Sequence, residues 1–316
     1  MENFHGLCYT DYAPYRSFRA GKVERIRRMA FILEGFMGTD AGTGWERENR
    51  THFDEIVVNY DKVRWNYPDD LFTDAIQYSG QGRGKQALEI GAGTGKATAP
   101  FLNAGYAVTA VEMGANMTDF LVDRFSRYAC FNVITSTFED AQLENDSYDL
   151  IYAASAFHWV DAEIGCPKVL RLLRRGGAFV LFRNNAVPDD NDKLYTDVQA
   201  EYDMHYYSYY KPDNRPVKIS KMTEKDFWNP AEIYRGFRFN SLEQYGFDDV
   251  TMKLYEVPLK YNTDDYIALL ETYSDHRALP DDNRAALYAG IKEAIIKHGG
   301  YQKLNCIFQL YMGRKA

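Results

Sequence analysis

Three glycines on alternate positions, Gly91, Gly93 and Gly95, follow the short apolar run Ala87-Leu88-Glu89-Ile90. A chain without Cβ atoms at this spacing can turn sharply and let a ligand lie against its backbone. A dinucleotide, a nucleotide phosphate or another cofactor would each suit such a loop, and so would a tight turn with no ligand. The spacing is GxGxG, which departs from the GxGxxG of dinucleotide-binding loops. Lys96 follows Gly95, but the wide glycine gap and the Gly-Lys-Ser/Thr order of a phosphate-cradling loop are missing.

Three further features fall where they could share a ligand with that loop. Glu112 ends the next apolar run, roughly 20 residues on, where a carboxylate can accept hydrogen bonds from two ribose hydroxyls. Its plainer reading is an exposed acid at a strand end. Phe138-Glu139 follow a third run, and an aromatic ring beside an acceptor suits an adenine; otherwise they are loop residues. The segment AASAFHWVD, Ala153 to Asp161, follows a fourth run and sets His158 and Trp159 over the same crevice.

The elements that must position these residues are readable from about residue 84 onward. Strands are expected at 85–90, 106–112, 131–136, 148–154 and 176–182, with helices at 96–105, 116–128 and 165–173 between them. Apolar strand runs alternating with helices predict an α/β fold with a mostly parallel sheet covered on both faces. After Arg183 the pattern breaks into a polar, tyrosine-rich stretch, Tyr195 to Pro216. A long strand within 242–259, helices at 263–274 and 281–300, and a last strand at 304–312 follow. Asp281 is placed to cap the second of these helices and Gly299-Gly300 to close it. Near the start, residues 22–38 have helical spacing, and their basic residues read as a solvated face.

Taken together, ALEIGAGTGKAT, AVEMGANM, STFEDAQLENDSYDLIYAASAFHWVD and RLLRRGGAFVLF resemble the class I S-adenosylmethionine-dependent methyltransferases. The TFED, SYDLI and AFHWVD forms are similar to the small-molecule, trans-aconitate methyltransferase-like branch. Upstream, YDKVRWNYPDDLF, Tyr60 to Phe72, resembles that branch's Tyr-Asp-x-x-Arg-x-x-Tyr-Pro motif, with Trp65 where a proline is common. The likeness covers 53–183 well and 242–312 loosely. It implies a Rossmann-like, seven-stranded class I fold with a helical, tyrosine-rich cap. Residues 1–50 would be a helical extension, 51–183 the cofactor-binding core, 184–240 an acceptor cap, and 241–316 the completion of the sheet with a helical insertion.

The same resemblance implies the cofactor S-adenosyl-L-methionine, released as S-adenosyl-L-homocysteine, and assigns roles. Gly91, Ala92, Gly93 and Gly95 would line its methionyl part, with Glu89 supporting the loop. Glu112 would hold the ribose, Met113 would pack on the adenine, and Thr137, Phe138 and Glu139 would form the adenine edge. Ala153 and Ala154 would border the methionyl group. Tyr60 and Arg64 would close the entrance, Arg64 as a partner for the cofactor carboxylate and Tyr60 near the reacting atoms. Thr137 stands where many relatives carry an acid.

Methyl transfer from a sulfonium is an in-line displacement, so the protein chiefly aligns the nucleophile and excludes water. A carboxylate acceptor needs no base. A phenol, hydroxyl or amine can need one, and His158 is the placed candidate; the opposing reading makes His158-Trp159 a structural lip. Tyr202, His205, Tyr206 and Tyr209 recur at helical spacing and could line an acceptor pocket, or else pack the insert onto the sheet. Arg183 could meet an acidic acceptor. The rival functions are a nicotinamide-dependent oxidoreductase, which the glycine spacing disfavours, and a cofactor-binding regulatory module without turnover.

The net charge of −8 over 316 residues argues against a broad nucleic-acid footprint. Four scattered cysteines, Cys8, Cys130, Cys166 and Cys306, form neither a zinc motif nor a disulfide framework and suit a reducing compartment. No metal is expected. No apolar run approaches the roughly 18 residues of a membrane span, and the N-terminal stretch has no apolar signal core, so a cytoplasmic protein is expected. The expected partner is a small-molecule acceptor, with a homodimer left open.

Overall fold

The computed structural model describes residues 46–187, 193–211 and 239–316. Seven strands form one sheet in the order β3-β2-β1-β4-β5-β7-β6. They are β1 Gln86–Ile90, β2 Ala107–Glu112, β3 Phe131–Thr135, β4 Tyr148–Ala154, β5 Leu173–Val187, β6 Phe247–Asn262 and β7 Tyr301–Lys315. The first five are mutually parallel, and β7 runs antiparallel between β5 and β6. This is a Rossmann-like α/β arrangement: the mostly parallel sheet is the one the strand-helix pattern predicts, and its seven strands are the number the resemblance implies.

Side chains alternate between the two faces of the central strands, and both faces are buried. Leu88, Ile90, Ile151 and Phe179 enter one core. Ala87, Leu150, Tyr152, Val180 and Phe182 enter the other. Two buried faces explain why these strands read as continuous apolar runs. On the second face Phe182 meets the rings of Phe72 at 5.6 Å, Tyr67 at 5.6 Å and Phe101 at 6.3 Å. A third apolar cluster joins Val63, Leu194, Val198 and Tyr206 to Leu269, Leu287 and Ile291. It packs the helix Lys193–His205 against the helices Thr263–Leu270 and Asp281–Lys297, which lie between β6 and β7.

Several expected boundaries change. β5 continues to Val187 and β7 spans Tyr301–Lys315, because the two pair along their length from Ala178 opposite Arg314 to Val187 opposite Asn305. The expected 263–274 helix ends at Leu270, and a short separate helix, Ser274–Arg277, follows. Asp281 does not cap the next helix. Pro280, extended at ψ 143°, occupies the cap position, and the Asp281 carboxylate accepts from Arg284 at 2.6 Å instead. Gly299 and Gly300 do close it, their N–H groups donating to the carbonyls of Ile296 and Ile295. The expected helix at 22–38 lies outside the described residues. No described helix is long and apolar enough to cross a membrane.

Because Phe182 is 1% exposed within its cage of rings, Phe182→Ala should destabilise the fold by about 3–5 kcal/mol. A denaturant titration checks this through a lower midpoint at an unchanged m-value.

Candidate functional site

β1 has β2 on one side and β4 on the other, and the chain order reverses there, so a crevice opens at the C-terminal ends of these strands. A cavity of about 280 Å³ occupies it. Its floor is the glycine loop after β1, and its walls come from the ends of β2, β3 and β4 and from two segments outside the sheet.

The loop glycines differ in what they do. A Cβ on Gly93 would meet nothing nearer than Tyr60 Cε1 at 4.0 Å, so its missing side chain leaves room above the loop. Gly95 sits at φ +82°, and a Cβ there would lie 2.4 Å from Phe125 Cε2. Gly95 therefore lets the loop pack down on the helix Ala115–Phe125 and does not line the cavity.

Glu112 ties this floor to β2. Its Oε2 accepts from Gly93 N at 2.8 Å and its Oε1 from Gly114 N at 3.1 Å. The Met113 N–H also faces this carboxylate, whose roughly four lone-pair sites leave acceptor capacity for a ligand. Burial raises the Glu112 pKa, and the backbone N–H groups of Gly114, Gly93 and Met113 oppose that shift. Below the loop, Glu89 is wholly buried. Its Oε2 accepts from Tyr152 Oη at 2.9 Å and from Thr98 Oγ1, and its Oε1 has no hydrogen-bond partner among the described residues. Burial pushes its pKa up to about 8, so the group is largely a neutral acid at pH 7.

At the end of β3 the turn bearing Thr137, Phe138 and Glu139 is held by a lysine. Lys168 Nζ donates to the carbonyls of Phe138 at 2.7 Å, Glu139 at 3.1 Å and Ala141 at 2.7 Å. Thr137 Oγ1 donates to Asp140 at 2.7 Å and accepts from its N–H, closing the turn locally. Past β4, Ser155 adopts φ +53°, uncommon for a residue with a side chain, and its Oγ accepts from Tyr67 Oη at 2.9 Å. His158 and Trp159 sit on the short 3-10 helix Phe157–Trp159.

Thirteen of the sequence-designated residues line the cavity: Tyr60, Arg64, Gly91, Ala92, Gly93, Glu112, Met113, Thr137, Phe138, Glu139, Ala154, His158 and Trp159. Glu89 and Ala153 lie in the core beneath it. Arg183 is on β5 opposite Gln309, away from the lining. Tyr202, His205, Tyr206 and Tyr209 do not line it either. Tyr202 Oη is 3.1 Å from His276 Nε2, and Tyr206 Oη donates to Asp275 at 2.6 Å, so these rings join the insert to the C-terminal helices. They pack on those helices and not on the sheet.

The sequence reading missed two contributors. The 3-10 helix Arg47–Glu55 lays Arg50, Thr51, Phe53 and Asp54 over the cavity. Phe53 meets Tyr60 at 5.9 Å and Trp159 at 5.8 Å, both edge-on, while Asp54 accepts from Met117 N at 2.9 Å. Tyr273 and Ser274 reach the cavity from the insertion between β6 and β7. No motif marks the first segment, and the second reads as the end of a helix with no link to the site. Tyr67 did carry a signal, since it falls within the Tyr60–Phe72 motif.

The crevice and sheet order define a Rossmann-like α/β protein with a nucleotide-sized site at its switch point. More closely, residues 88–181 match a family model described as a methyltransferase domain. An uncharacterized methyltransferase of Mycobacterium tuberculosis is 32% identical over 138 residues, covering 44% of this chain and 54% of the relative. The chain thus spans about half the length of that relative. An uncharacterized methyltransferase of Schizosaccharomyces pombe is 23% identical over 254 residues, 77% of this chain and 86% of the relative. A candidate type II methyltransferase structure from Anaeromyxobacter dehalogenans shares the fold, with a TM-score of 0.53, 19% identity, and coverage of 80% of this chain and 97% of that one. Residues 88–181 thus resemble a methyltransferase domain in sequence, and the sheet around them has the fold of a methyltransferase structure.

A Glu with a pKa raised from 4.5 to about 8 holds its proton more tightly folded than unfolded, so its contribution favours folding at low pH and is lost as pH rises across that window. Glu89→Gln, which mimics the neutral acid, should remove this loss. Melting temperatures from pH 5 to pH 8 should therefore fall more steeply for the wild type than for the variant.

Proposed function

We propose that the protein transfers a methyl group from S-adenosylmethionine to a small-molecule acceptor at the crevice above the glycine loop. The observation that carries this reading is Glu112. Its carboxylate accepts backbone N–H groups from both sides of the crevice and lines the cavity, and its remaining acceptor capacity suits the vicinal hydroxyls of a ribose. The polar groups around the cavity also suit the cofactor. The acids Glu112, Asp54 and Glu139 gather at the ends of β2 and β3, where the ribose and adenine amine would lie. The cations Arg64 and Lys96 also line the cavity, Arg64 beside Tyr60, and suit an amino-acid carboxylate. Thr94 Oγ1, on the loop itself, is buried with no partner among the described residues, as expected of a group that waits for a ligand.

In this reading the cofactor supplies an activated methyl group, and the protein holds, orients and dries the reactants. Gly93 leaves the space, Glu112 fixes the ribose, and Phe138 and Met113 flank the adenine. Phe53, Tyr60 and Trp159 form an aromatic cover that excludes water. His158 is the one imidazole among the described lining residues, its ring 5.3 Å from that of Trp159. It serves as the proton acceptor for a hydroxyl, phenol or amine nucleophile. The described cysteines, Cys130, Cys166 and Cys306, are free thiols, in keeping with a cytoplasmic site of action.

Incubation with methyl-labelled S-adenosylmethionine and a panel of acidic, phenolic and amine metabolites should label at least one acceptor. Cofactor binding without label transfer to any acceptor would favour a regulatory module, and binding of NAD in preference to S-adenosylhomocysteine would favour an oxidoreductase. Glu112→Ala should weaken S-adenosylhomocysteine binding by about 1–3 kcal/mol in calorimetry, the range for lost hydrogen bonds to a charged group. With an acceptor in hand, His158→Ala should lower kcat about 10²–10⁴-fold and flatten its pH profile. Turnover unchanged at every pH would leave His158 as a lip only.

A further inference from the structure

The insertion between β6 and β7 places one residue in the cavity whose chemistry the fold does not use. Ser274 is 1% exposed, it lines the cavity, and its Oγ has no hydrogen-bond partner among the described residues. A buried hydroxyl left unmatched costs free energy, so its retention beside a cavity points to a polar ligand atom.

The neighbours of Ser274 define which atom. Arg64 is fixed against the same loop: its Nη2 donates to Thr272 O at 2.8 Å, and its guanidinium lies 4.5 Å from the Tyr273 ring. It is also 5.1 Å from the ring of Tyr60, whose Cε1 overlooks Gly93. One wall thus runs from the glycine loop through Tyr60 and Arg64 to Tyr273 and Ser274. Its side chains supply a cation and three hydroxyls, and none of these four residues is an acid. Glu112, Glu139 and Asp54 line the cavity from other segments.

We infer that Ser274 donates a hydrogen bond to the cofactor's amino-acid carboxylate beside Arg64, so that the C-terminal insertion is part of the cofactor site. This rests on the methyltransferase reading. The next two residues of the insertion reach the tyrosine-rich segment, through Tyr206 to Asp275 and Tyr202 to His276. Lys96, the other cation near the loop, is engaged by Asn66 Oδ1 at 3.0 Å and by Asp61 at 3.9 Å.

Calorimetric titration of S-adenosylhomocysteine and of its decarboxylated analogue, which keeps the amine, separates the possibilities. Ser274→Ala should weaken S-adenosylhomocysteine about 5–10-fold, the worth of one hydrogen bond, and leave the decarboxylated analogue within about twofold. An equal loss for both ligands, or no loss for S-adenosylhomocysteine, overturns the proposal. So does a result in which Lys96→Met, and not Ser274→Ala, removes the preference for the carboxylate. Wild-type protein that binds neither ligand contradicts the cofactor reading, and the proposal with it.

Discussion

Two backbone N–H groups, those of Gly93 and Gly114, converge on the carboxylate of Glu112. One comes from the loop after β1 and the other from the start of the helix after β2. The acid therefore sets the distance between adjacent strand ends and holds the glycine loop open over the crevice. The loop's other N–H groups are held by the backbone itself, Gly91 N donating to Val111 O at 2.8 Å and Gly95 N to Ala92 O at 2.9 Å. Removing water from a carboxylate is costly, which is why the Glu112 pKa is raised. Charge-assisted hydrogen bonds from the chain itself offset part of that cost. The same acid is thus structural when the cavity holds only water and is left with acceptor capacity for a ligand.

Around this anchor the cavity is closed by parts that come from far apart in the chain. The helix Val57–Val63 is joined to the insertion by Asn59 Nδ2 donating to Ala268 O at 2.9 Å and by Tyr261 Oη donating to Val63 O at 3.2 Å. Tyr60 and Arg64 are consequently held by the C-terminal helices as much as by their own segment. Across the opening, the 3-10 helix Arg47–Glu55 is pinned at Met117 by Asp54 and at Arg277 by Glu55. The sheet supplies a rigid floor, while the cover is a composite whose members depend on one another.

This division explains how much was legible in the sequence. Strand-and-turn periodicity and the glycine loop are local signals, so β1 to β4 and the residues at their ends, Gly91, Glu112, Phe138 and His158, could be placed in one crevice. Of the cover, Tyr60, Arg64 and Trp159 fall within motifs, while the rest has no local signature. Phe53 and Ser274 become site residues only through tertiary packing, and helical spacing alone could not tell a pocket-lining tyrosine from a packing one. Tyr202 and Tyr206 have the spacing of a pocket face, yet their hydroxyls are bound by His276 and Asp275. Asp281 shows the same limit at a helix end: an acid at the head of a helical run reads as a cap, but Pro280 takes that position and the acid pairs with Arg284.

The central claim is that Glu112 recognises a ribose diol, and ligand analogues test it without relying on turnover. S-adenosylhomocysteine and its 2′-deoxyribose analogue can be titrated into the wild type and into Glu112→Gln. Glu112→Gln keeps an acceptor in the same volume but loses the charge. The account predicts that the wild type discriminates strongly against the deoxy analogue and that the variant largely loses this discrimination. Equal discrimination by both proteins would contradict it and assign ribose recognition to another residue.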